Sequence, residues 1–79
     1  MKNEQWATRW SPAEMMYLEV REDEVVMFLD HAPTRPDRFT FQQVLSGEAE
    51  RWYLNEFGKE VAAKVKAAVE RRIGRKKSE

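Results

Sequence analysis

The sequence predicts a small single α+β domain, and three observations carry that reading. Apolar side chains alternate across residues 15 to 30, a segment with two prolines and no apolar period follows at 31 to 38, and after Gly47 almost every residue is a helix former. With 79 residues there is room for one domain, 1–79, and none for a second. At this size apolar burial and lost chain entropy nearly cancel, so small domains usually add a disulfide, a metal or a partner. The chain has no cysteine and a single histidine, His31. Good packing, self-association or binding to another protein must supply the margin.

Residues 1–10 read as a flexible or helical N-terminal segment that carries Trp6 and Trp10, four apart and so on one face of a helix. Ser11-Pro12-Ala13-Glu14 has the form of a capping box, with serine at the N-cap, proline at the first helical position and glutamate at N3. It predicts a helix running into Met15-Met16-Tyr17.

The alternation that follows predicts something else. With a tight turn at Glu22-Asp23, Val20 pairs with Val25, Leu18 with Met27 and Met16 with Leu29, which puts all six on one face of a β-hairpin. Arg21 then faces Glu24 across the turn. A single helix through this stretch is excluded, because its apolar residues would fall on two opposed faces. The hairpin is the reading adopted; the alternative is an all-α chain with two short helices in a helix-turn-helix-like N-terminal half. In that alternative, Ser11-Pro12-Ala13-Glu14, Tyr17-Leu18-Glu19-Val20 and Val25 through Leu29 resemble the helix-turn-helix of small excisionase-type proteins over about 20 residues. The resemblance implies DNA binding. It departs from that pattern at Glu19, where the turn takes glycine, and at Arg21-Glu22-Asp23-Glu24, where the recognition helix would meet phosphates.

His31 through Arg38 reads as a loop. Thr40 can cap a short helix through Phe41, Val44 and Leu45 that ends at Ser46-Gly47, with Phe39-Thr40-Phe41 as a third strand the other option. A long helix follows. Glu48 and Glu50 at its start and Arg71 and Arg72 at its end suit the helix dipole, Gly74 suits the C′ position, and residues 74–79 read as a basic flexible tail. Along it Ala49, Tyr53, Phe57, Val61, Val65, Val69 and Ile73 recur every four residues. Each step of four drifts about 40°, so the stripe rotates by about 240° in six steps. One straight partner surface cannot follow it. Either the helix breaks at Gly58, or its halves bury against different things.

Fourteen basic and fourteen acidic residues sum to zero, but residues 1–30 carry −4, residues 31–63 carry −1 and residues 64–79 carry +5. The chain is a charge dipole along its length. It shows no internal repeat, no apolar run near the roughly 20 residues that span a bilayer, and no apolar signal stretch at its start, so a cytoplasmic protein without membrane contact is expected.

Chemistry is sparse. His31 has no nucleophile motif near it, Glu22-Asp23-Glu24 lacks the glycine and spacing of a calcium loop, and Gly47, Gly58 and Gly74 stand singly, forming no phosphate loop. No catalytic residue, metal or cofactor is expected. The function expected is a non-enzymatic protein-interaction module, a regulator or inhibitor docking on a larger protein. Small, cysteine-free, charge-segregated chains of this kind are common among accessory proteins of mobile elements such as phages. Its partner-binding residues would be Trp6, Trp10, Val65, Val69 and Ile73, with Trp52 and Phe57 in the core. One alternative is nucleic-acid binding through Arg71, Arg72, Arg75, Lys76 and Lys77. The other is a homodimer pairing the Val61-Val65-Val69-Ile73 face.

Overall fold

The computed structural model describes residues 3–77, and their side chains except those of Pro33, Arg75, Lys76 and Lys77. It shows an α+β domain in two layers. Strands β1 (Glu4–Ser11), β2 (Glu14–Val20), β3 (Glu24–Leu29) and β4 (Ala32–Thr40) form one antiparallel meander in the order β1-β2-β3-β4. Helices α1 (Phe41–Ser46) and α2 (Glu50–Lys77) follow and cover one face of it.

The expected hairpin is β2 and β3, in the register read from the sequence. Val20 pairs with Val25, Leu18 with Met27 and Met16 with Leu29. The Arg21 amide donates to the Glu24 carbonyl at 2.8 Å and closes the turn. The side chains there go elsewhere: Arg21 Nε donates to Glu19 at 2.6 Å, and Arg38 reaches both oxygens of Glu24. Strands at 14–20 and 24–29 exclude the helix-turn-helix alternative.

Three local expectations are corrected. The segment 1–10 is not helical over its described part: from Glu4 it is strand β1, paired with β2 through Trp6↔Leu18 and Thr8↔Met16. Ser11-Pro12-Ala13-Glu14 caps no helix and turns β1 into β2 instead, with Arg9 donating to the Pro12 carbonyl at 3.2 Å. Packing Trp6 onto the sheet outweighs the local capping signal. The expected loop at 31–38 lies largely within edge strand β4, although the ladder is irregular there, since Met27 pairs with Asp37 and Leu29 with Ala32. The span between those two partners holds Pro33 and Pro36, at an edge and an irregularity, where proline's missing N–H is tolerated.

Thr40 ends β4 and caps α1 as expected. Its hydroxyl accepts from the Gln43 amide, while Gln43 Oε1 accepts from the Thr40 amide, and Gly47 at φ 89° ends the helix. In α2 the rotating stripe is resolved by a break at Gly58, whose φ of 89° and ψ of 167° belong to a region used almost only by glycine. The arms 50–57 and 59–77 therefore present independent faces. The first buries Tyr53, next to Ala49; the second buries Ala62, Val65, Ala68, Val69 and Arg72, at the three- and four-residue spacing of one helix face. The helix runs through Gly74 to Lys77, so Gly74 is not its C′ residue, and the remainder of the expected flexible tail lies outside the described residues.

The route of α2 follows from four contacts. Trp52 lies with its ring 6.5 Å from that of Phe39 on β4, and the Glu56 carbonyl, freed by the break, accepts from Thr8 Oγ1 on β1 at 3.3 Å. The first arm thus crosses the strands. The second runs back along β1 and β2, where Arg71 grips both oxygens of Glu4 at 2.9 Å and Arg72 donates to the Val20 carbonyl at 3.5 Å. Leu18, Val20, Val25, Val65 and Val69 are fully buried between the layers.

Two outcomes test this description. Nothing lies within 4 Å of a β-carbon added at Gly58, so Gly58→Ala should cost only its backbone strain, about 1–3 kcal/mol, and lower the melting temperature by about 4 °C or more. An unchanged melt would mean that the break does not need glycine. Burial, with a smaller contribution from Glu50, pushes the Tyr53 phenol from 10.0 up to about 12. A pKa raised by folding stabilises fully below pH 10, and that contribution is lost as pH rises toward 12. Melts by circular dichroism should therefore decline less over pH 10–12 in Tyr53→Phe than in the parent chain; parallel declines would refute the assignment to Tyr53.

Candidate functional site

Because the first arm of α2 crosses the sheet, the end of the covered face nearest Trp10 is left open. A cleft of about 320 Å³ forms there between the arm and the strands. Met16, Met27 and Leu29, inward-facing residues of the hairpin, line its base. Trp10 on β1 and Trp52 on α2 stand at its sides. They are 47% and 64% exposed, the two large apolar side chains left exposed among the described residues. A second hollow of about 290 Å³ lies beyond Trp52, against Phe39, Gln43 and Glu48, so that indole forms a ridge between two depressions.

Each tryptophan is placed by the local backbone geometry. Arg9 pairs with Met15 and Ser11 with Glu14, which leaves Trp10 as the extra residue of a β-bulge at the end of an edge strand. Trp52 sits about 100° around the helix from Tyr53, off the buried stripe. The expectation that Trp52 belongs to the core is therefore wrong, while Phe57 does pack partly buried against it. The helical step itself carried the signal: a stripe running through 49, 53 and 57 leaves position 52 outside it.

The polar groups at the cleft are Arg35, Asp37 and Glu56. Asp37 follows the irregular part of β4, pairs with Met27 and so lies on the covered side of the sheet, where it stays exposed at the edge. Neither the Asp37 nor the Glu56 carboxylate has a hydrogen-bond or ion-pair partner among the described residues. Sequence reasoning assigned no role to these three.

The other expected partner-binding residues are placed elsewhere. Trp6 packs against the core opposite Leu18. Val65 and Val69 are fully buried beneath the second arm of α2, and Ile73 packs partly buried at the edge of the same cluster. The break at Gly58 turns this face onto the chain's own sheet, so Val65 and Val69 cannot form a docking or dimer face. Of the basic residues, Arg71 is held by Glu4 and Arg72 is 5% exposed. The side chains of Arg75, Lys76 and Lys77 lie outside those described. His31 contacts Glu14 at an exposed hairpin end.

The uncovered sheet face carries a smaller apolar group. Tyr17 stacks on Phe28 with centroids 5.4 Å apart, and Val26, flanked across the strands by Glu19 and Arg38, is fully buried. Among the described residues no helix is long and apolar enough to cross a membrane, and no three metal-ligating side chains gather. Comparison of the chain with protein-family models, with curated proteins and with solved structures finds no match.

The three tryptophans should separate in stability measurements. Trp6→Ala should cost about 2 kcal/mol in urea unfolding because its ring covers core residues, whereas Trp52→Ala should cost under about 1 kcal/mol. Equal losses would mean that the exposed ring is part of the fold's support.

Proposed function

We propose that this chain is a non-enzymatic protein-interaction module, a small regulator or inhibitor that docks on a larger protein through the cleft between Trp10 and Trp52. The observation that carries the reading is the convergence of the two exposed tryptophans on one hollow. Tryptophan is enriched among the residues that dominate interface energies, since a large rigid ring is desolvated at little entropic cost. The hollow is floored by methionine and leucine, and methionine adapts its shape to what it receives. Its volume suits one or two side chains of a docked segment. The domain contributes a stiff platform, because the base belongs to the central hairpin and one wall to a helix anchored by Tyr53.

A displayed library of random peptides, selected on the intact chain, tests this. Selected peptides should bind the parent chain and lose at least about tenfold in affinity toward the Trp10→Ala/Trp52→Ala variant, whose melt should stay close to the parent's. Failure to enrich any peptide, or peptides bound equally by the variant, would overturn the cleft as the docking site.

A further inference from the structure

We infer that the side chain accepted between Trp10 and Trp52 is an arginine of the docked partner. This rests on the cleft being the docking site and adds the chemistry of what enters it. Two kinds of group line the cleft that suit one ligand: indole rings, and carboxylates that no described residue pairs with. An indole face attracts cations through its quadrupole, more strongly than the other aromatic side chains do. A carboxylate left without a partner accepts hydrogen bonds from a charged donor. An aliphatic side chain would use the methionine and leucine floor and gain nothing from the exposed Asp37 and Glu56 carboxylates. A carboxylate or phosphate would meet both of them in repulsion.

Guanidinium satisfies all three elements at once. Its plane stacks on an indole, its edge presents five N–H donors in a fixed fork to carboxylates, and its three-carbon stem lies on apolar surface. Lysine has the charge and the stem but neither the plane nor the fork. The count of charge at the cleft agrees, since Asp37 and Glu56 outnumber Arg35. Arg35 is also exposed at the rim of the cleft, where its like charge opposes an incoming guanidinium. That makes a directional prediction that a purely apolar site would not share: removing Arg35 strengthens binding.

The probes are Nα-acetylarginine methylamide and its lysine and norleucine counterparts, titrated while the indole N–H signals of Trp10 and Trp52 are followed by NMR, with Trp→Phe variants assigning them. The arginine probe should shift both signals saturably and bind about tenfold more tightly than the norleucine probe. Asp37→Asn and Glu56→Gln should each weaken it about threefold, and Arg35→Gln should tighten it by a similar factor. Norleucine binding as well as arginine would show an apolar cleft and end this inference. Lysine binding as well as arginine would show that charge alone is read, and would end it too, as would indole signals that no probe moves. None of these results decides whether the cleft docks a protein, which the peptide selection answers separately through the double tryptophan variant.

Discussion

The structure depends on one residue that is free to adopt φ 89° and ψ 167° in the middle of its longest helix. A straight α2 would carry an apolar stripe that turns steadily away from any flat sheet. The break at Gly58 lets each arm choose its own direction, so the first can cross the strands and the second can lie along β1 and β2. Thr8 completes the arrangement by donating to the Glu56 carbonyl that the break leaves without its helical partner. The core and the cleft are two results of this one choice. The second arm seals one part of the sheet, and the crossing first arm leaves another part open.

The charge dipole of the sequence is used in the same way. Glu4 in the acidic front and Arg71 in the basic end are 67 residues apart and meet in a two-pronged contact. An exposed pair of this kind contributes at most about 1 kcal/mol. Its value lies in register, because Arg72 beside it reaches the Val20 carbonyl from a buried position. The two arginines fix where the second arm ends on β1 and β2. Charges that looked free in the linear sequence are thereby tied into the fold.

What could be read from the sequence follows the range of the forces involved. The β2-β3 register was legible because six alternating apolar residues around a short turn leave one pairing that shares a face. The Thr40 cap, the end of α1 at Gly47 and the break at Gly58 were legible because each is a local conformational demand. Strand β1 was not, since its sequence has no strong alternation of its own and it forms because β2 offers an edge onto which Trp6 can pack. The capping pattern at Ser11 is equally compatible with a turn, and only the neighbouring strands decide between them. Strand β4 was hidden by two prolines that an edge tolerates. For the site, the sequence offered Trp10 together with Trp6 as partner-facing, and the structure leaves Trp10 47% exposed, but Asp37 and Glu56 could not be placed beside it. They come from β4 and α2, and only the crossing of the first arm brings them to the strand that carries Trp10.

The cleft also bears on the thin margin of so small a domain. A chain whose burial barely exceeds its entropy cost gains most by covering every large ring it has. Trp6 and Tyr53 are covered, while Trp10 and Trp52 keep about half or more of their surface in water. Neither exposed ring is forced outward by a lack of polar alternatives, for a lysine or glutamine at the bulge or off the helical stripe would satisfy the same backbone and improve solubility. Apart from the Trp52 contact with Phe39, the exposed parts of these rings add no burial to the fold. Two such rings on different elements, brought to one hollow above a methionine floor, are the observation on which the proposed docking site rests, and the carboxylates beside them are what the proposed arginine would answer.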